Sequence, residues 1–267
     1  MTLRSRERFY RAAFAFSALA LAGFGVALWD LGPEGLGAVR PSLEPVVDAF
    51  PFYASAAEAG FCGLFAAAVL GVVAFRNGKT VSLEIFFFAA WAFGLSLETA
   101  RGASLWLLAG GSGVEPLALV TRLALFGRYL GAIAMFMGSL FAAGLGQERV
   151  LPALGMSALV ALFFASAQPL NSGLPGADFL VDLGNRPFAM SLEAALALLT
   201  FVDYVAAWRN SRDRVFLSGG AGAALCMVAA ILLRDTASPW VTVAAAPAMV
   251  AGAWLFLSRF REYYVWR

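Results

Sequence analysis

Residues Leu83–Ala109 read LEIFFFAAWAFGLSLETARGASLWLLA. The stretch is long enough to cross a bilayer, which takes ~20 apolar residues at ~1.5 Å each. Glu98 and Arg101 stand three residues apart in its second half, and on a helix such residues share a face. Each charge is costly in lipid, so that face must turn toward protein or trapped water. The stretch therefore predicts a surrounding bundle that gives the pair somewhere to point.

The composition agrees. The 267 residues are 61% hydrophobic and 13% charged, where a soluble domain carries about twice that charge fraction. The net charge of +2 comes from short basic clusters between apolar runs, a pattern of membrane topology rather than nucleic-acid binding. Histidine is absent, which removes the commonest general base and the commonest ligand for zinc, copper and haem. Cys62 and Cys226 lie in different apolar segments without metal-ligand spacing and read as buried thiols. No cofactor and no metal is implied.

Eight spans follow, at about 12–29, 52–75, 83–109, 117–143, 153–167, 188–208, 215–233 and 240–258, in a single all-α integral membrane domain. Arg4, Arg6, Arg8 and Arg11 precede the first, as in a signal anchor. A cleaved signal peptide competes at Ser17–Ala20, but the apolar run continues past it. Asp30–Phe50, with three prolines, reads as an outer loop, and so does 168–186. Pro51, Pro116, Pro152, Pro187 and Pro239 each fall where a span begins, the place where a missing N–H costs least. Thirteen of the 19 basic residues fall in the arms and turns read as cytoplasmic, while the outer loops hold Arg40, Arg186 and Arg234. The positive-inside rule then puts both termini in the cytoplasm and the protein in the cytoplasmic membrane. Tyr10, Trp29, Tyr263, Tyr264 and Trp266 read as interfacial anchors. Gly127, Gly131, Ala134, Gly138 and Ala142 make a small-residue face on the fourth span, read as packing within the chain.

Six charged residues lie at depth: Glu58, Glu98, Arg101, Arg122, Arg128 and Glu193. Glu98 and Arg128 are both eleven residues from the outer ends of adjoining spans, roughly 16 Å down. Two readings compete. As structure, Glu98 pairs with Arg128 and Glu58 with Arg122, a forked guanidinium on each carboxylate. As function, the six line a polar cavity that opens outward and binds a small polar or anionic solute. Asp203 reads as an interfacial residue paired with an arginine.

Known chemistries are narrowed by what is missing. A retinal pigment needs a lysine in its last helix, and the single lysine is Lys79, in a turn. The phosphate-binding signature of the undecaprenyl-pyrophosphate phosphatases is missing, and no Gly-rich phosphate loop replaces it. Three functions remain, in this order. The first is non-catalytic binding or transport of a small polar or ionic solute, for which Ala246-Pro247 is the single candidate helix break. The second is a sensor or accessory subunit that signals through a membrane protein partner. The third is a membrane enzyme acting on a lipid-linked substrate, with Glu98 or Asp203 as base.

Overall fold

Every residue from Ser82 to Ala92 is buried, Phe86, Phe87 and Phe88 completely. A helix that is apolar all round belongs in the interior, and the other elements are arranged about this one. The computed structural model describes residues 2–39, 49–76, 82–234 and 239–265. The elements are α1 (Leu3–Val39), α2 (Ala49–Arg76), α3 (Leu83–Ser96), α4 (Arg101–Ala109), α5 (Val114–Ala142), α6 (Val150–Ala167), α7 (Arg186–Ser211), α8 (Arg214–Arg234) and α9 (Pro239–Val265). A short antiparallel hairpin, β1 (Leu170–Pro175) and β2 (Val181–Leu183), precedes α7. With α3 and α4 taken as one interrupted helix, eight helices among the described residues are long and apolar enough to cross a membrane.

In lipid the solvent is as apolar as the side chains, so helices associate through close packing. α3 lies against α5 and α2, α8 against α9 and α7, and α1 against α2 and α4. Glycines permit the tightest of these approaches. A Cβ on Gly94 would run into the carbonyl oxygen of Gly127, and one on Gly127 into that of Gly94. Gly222 and Gly252 meet the same way between α8 and α9. The small-residue face of α5 is thus used inside the chain, with Trp91 over Gly131 and Phe87 over Gly138. Phe88 stacks on Phe256 with ring centroids 4.5 Å apart, which ties the central helix to α9.

Several expectations need correction. Helix continues well beyond the apolar runs at both ends, over the basic arm from Leu3 and over the tail as far as Val265. Hydropathy finds where lipid lies, whereas backbone hydrogen bonding carries the helix onward through arginine and tyrosine. Asp30–Val39 is helical as well. Gly32, at φ 57°, makes a kink and Pro33 restarts the helix. The rest of that expected loop, residues 40–48, lies outside the described residues, as do Lys79 and Trp266. Tyr10 is no interfacial anchor. It is fully buried, near the rings of Phe9 and Phe86.

Candidate functional site: a charged interior beside a covered cavity

The central helix is broken where its charges lie. After Ser96 the α-helix gives way to one 3₁₀ turn, Leu97–Ala100, and resumes at Arg101. Two hydroxyls bond back to the backbone at the break. The Ser96 hydroxyl donates to the Phe93 carbonyl and the Thr99 hydroxyl to the Ser96 carbonyl, each at 2.7 Å. Such bonds to the preceding turn compete with the α-helical ladder and bend it. The expected break at Pro247 is not found, because α9 runs helical through that residue.

Glu98 sits in the 3₁₀ turn and Arg101 opens α4, and the two join four charges in one row. Arg101 Nη1 lies 2.5 Å from Glu58 Oε2 on α2, and its Nη2 lies 2.7 Å from Glu98 Oε2. Glu98 then accepts from Arg128 on α5, at 2.6 Å from Nε and 3.0 Å from Nη2. The side chains of Glu58, Glu98 and Arg101 are at most 1% exposed, and that of Arg128 is 10% exposed. The row alternates carboxylate and guanidinium, so its net charge is zero and each ion has an opposite neighbour. That is the condition under which charge survives burial. The pairing of Glu58 with Arg122 is corrected: Arg101 holds Glu58, while Arg122 is exposed and makes no ion pair among the described residues. Three residues apart, Glu98 and Arg101 pair with each other as well as with other helices.

A cavity of about 260 Å³ lies beside this tetrad. Its walls come from α5, α7, α8 and the hairpin, and its charged lining is Arg128, Asp178, Asp182, Arg186, Glu193 and Arg234. Glu193 on α7 and Arg234 at the end of α8 form a two-pronged pair, with contacts of 2.7 and 2.8 Å. Asp182 and Arg186 are exposed at the mouth. Glu58, Glu98, Arg101 and Arg122 do not line the cavity, so the structure divides the six sequence candidates. Among the described residues Arg128 alone belongs to both the tetrad and the cavity wall.

The hairpin covers the cavity and is fastened at two points. The Val181 amide donates to the Thr121 hydroxyl on α5 at 3.0 Å. Phe179 is fully buried against Phe52, in a small cluster with Val39 and Leu105. Its φ of 62° lies in the left-handed region, a conformation that costs a bulky residue roughly 1–3 kcal/mol and persists only where packing enforces it.

Arg234, Asp178, Asp182 and Arg186 escaped the sequence reading because each reads as part of a polar loop. The signal available was that the 168–186 segment is rich in both charge and apolar residues, FLVDL among them. Glu84 was missed as well. It is buried at the start of α3, where it accepts from the Ser82 hydroxyl at 2.8 Å and the Tyr264 hydroxyl at 3.2 Å. Asp203 accepts from Ser139 at 2.9 Å, in place of the expected arginine. Cys62 and Cys226 are free and buried, and no cluster disposed to hold a metal occurs among the described residues.

The class defined by this fold is a helical bundle with membrane-compatible helices and a charged interior. The chain matches no protein-family model, no curated protein and no solved structure.

Proposed function

We propose that this is a solute-binding membrane protein with both termini in the cytoplasm. Its cavity opens to the outer side and takes a small polar solute carrying both charges. One observation carries this reading: Arg128 is part of the cavity wall and also holds Glu98 in the broken turn of the central helix. A solute that draws on Arg128 therefore acts on the packing of α3, α4 and α5. Discontinuous helices at depth are a recurrent feature of transporter binding sites, so transport across the cytoplasmic membrane is the use this arrangement favours.

The cavity volume of about 260 Å³ lies just under the roughly 300–1,000 Å³ of pockets that take drug-sized ligands, and at about 30 Å³ per water-sized group it limits the solute to roughly ten heavy atoms. With Arg128 on Glu98 and Arg234 on Glu193, the lining charges that make no ion pair among the described residues are Asp178, Asp182 and Arg186, and both signs together complement a zwitterion better than a simple anion or cation. The test is thermal stabilisation of purified protein by free amino acids and betaine, against acetate, phosphate and choline. A zwitterion is expected to raise the unfolding temperature, and Arg186→Gln with Asp178→Asn to abolish the rise. Uptake of that solute into proteoliposomes then separates transport from binding. Equal response to all three classes, or a response that survives the double change, refutes the reading.

A further inference from the structure

A second concavity lies elsewhere, between α2 and α9, with a volume of about 520 Å³. Its α2 wall follows one helical face from Phe61 through Ala68 to Arg76, and its α9 wall from Val250 through Trp254 to Arg261. Both helices reach their arginine at the same end of the groove, at or near their C-termini. We infer that this groove holds an anionic diacyl phospholipid, with an acyl chain between the helices and the phosphate on Arg76 and Arg261.

Three observations support that occupant. The first is length. From Phe61 to Arg76 and from Val250 to Arg261 the walls span roughly 16–22 Å at ~1.5 Å per residue. One leaflet contributes about half of a ~30 Å hydrocarbon core, so the groove runs from interface to mid-membrane, the reach of one acyl chain. The second is lining. Leu64, Val72, Val250 and Trp254 are exposed large apolar residues along it, so the groove is open to lipid from the side.

The third is charge. Arg76 and Arg261 make no ion pair among the described residues, while neighbouring Arg259 already has Glu262 at 3.5 Å. Two forked guanidiniums at the headgroup level fit a phosphate with a further acidic or uncharged polar headgroup. Basic pockets between membrane helices on the cytoplasmic side are sites of this kind. In the proposed orientation the mouth faces the cytoplasmic leaflet, though the inference stands for whichever leaflet meets this end.

The experiment is native mass spectrometry of the full chain in mild detergent, titrated with phosphatidylglycerol, with phosphatidylcholine of the same chains, or with inorganic phosphate. Phosphatidylglycerol is expected to remain bound in preference to phosphatidylcholine, and inorganic phosphate not to displace it. Arg76→Gln with Arg261→Gln should weaken retention at least ~tenfold. Ala68→Trp fills the exposed groove without touching a charge and should weaken it too, whereas Arg149→Gln, outside the groove, should not. Equal retention of both lipids, displacement by phosphate, full retention by Ala68→Trp, or an equal loss with Arg149→Gln would each overturn the inference. Circular dichroism of every variant shows that it has folded.

Discussion

Two sets of buried ions lie on the two sides of Arg128, and they differ in what surrounds them. The tetrad of Glu58, Arg101, Glu98 and Arg128 is enclosed by α2, α4 and α5 and the 3₁₀ turn, with three of its side chains essentially without exposure. The pair of Glu193 and Arg234 is 8% and 15% exposed and borders the cavity. Both are forked contacts of similar length, so distance does not distinguish them. Environment does. Glu58, Glu98 or Arg101 deprived of its partner is enclosed by protein, while Glu193 and Arg234 border a cavity that can admit water. The comparison separates ions enclosed by protein on all sides from a pair that borders a cavity.

The largest effect expected is from Arg101→Ala, which strands both Glu58 and Glu98. It should destabilise the detergent-solubilised protein by ~3–5 kcal/mol, the range for breaking a buried pair. A thermal or denaturant unfolding shift under ~1 kcal/mol would place the tetrad with exposed pairs instead. Next comes the cycle of Glu98→Ala, Arg128→Ala and the double variant. Each single change should cost several kcal/mol and the double should recover much of the loss, giving a coupling energy of up to ~3 kcal/mol. Strict additivity would mean that the two do not act together.

Gly127→Ala tests whether helix spacing sets the pair. It forces α3 and α5 apart one residue from Arg128, and should cost ~1–3 kcal/mol while reducing the Glu98–Arg128 coupling. Unchanged coupling would show that the ions, not the glycines, hold the register. Glu193→Gln is expected to cost less, roughly 1.5 kcal/mol, the low end for a lost hydrogen bond to a charged group, and, on the proposed function, to diminish stabilisation by a zwitterion. A cost as large as that of Arg101→Ala would erase the distinction between the two sets. The smallest effect is from Arg11→Ala. Its contact with Glu7 is 2.6 Å, shorter than several buried ones, yet both side chains are well exposed. Less than ~0.5 kcal/mol is expected.

How much of this was legible beforehand differs by feature. The five prolines at span starts lie in the first turns of α2, α5, α6, α7 and α9, where a missing amide is harmless. Those starts were therefore readable to within three residues. The tetrad was readable only in part. Glu98 and Arg128 were matched by depth across a hairpin of spans, which is one-dimensional information. Whether Glu58 meets Arg101 or Arg122 depends on how each helix is turned about its axis, and hydropathy gives no such angle here because α2 and α5 are only weakly amphipathic. The 3₁₀ turn was invisible for a related reason: Ser96 and Thr99 bond back to the ladder at the break, but Ser139 and Thr200 do the same inside unbroken helices, so such residues do not mark a break in the sequence.

Eight helices able to cross a membrane follow from apolar length alone, because backbone self-satisfaction leaves a chain of this composition no other form in lipid. The sequence also requires that the charges at depth find partners. Which partners they find is settled in three dimensions, where Arg234, the last residue of α8, joins Glu193 beneath a hairpin. The reason is geometric: burial demands neutrality, and many pairings of the same ions satisfy it. The selection among them comes from close contacts such as Gly94 on Gly127, where a single methyl group would change the distance between helices.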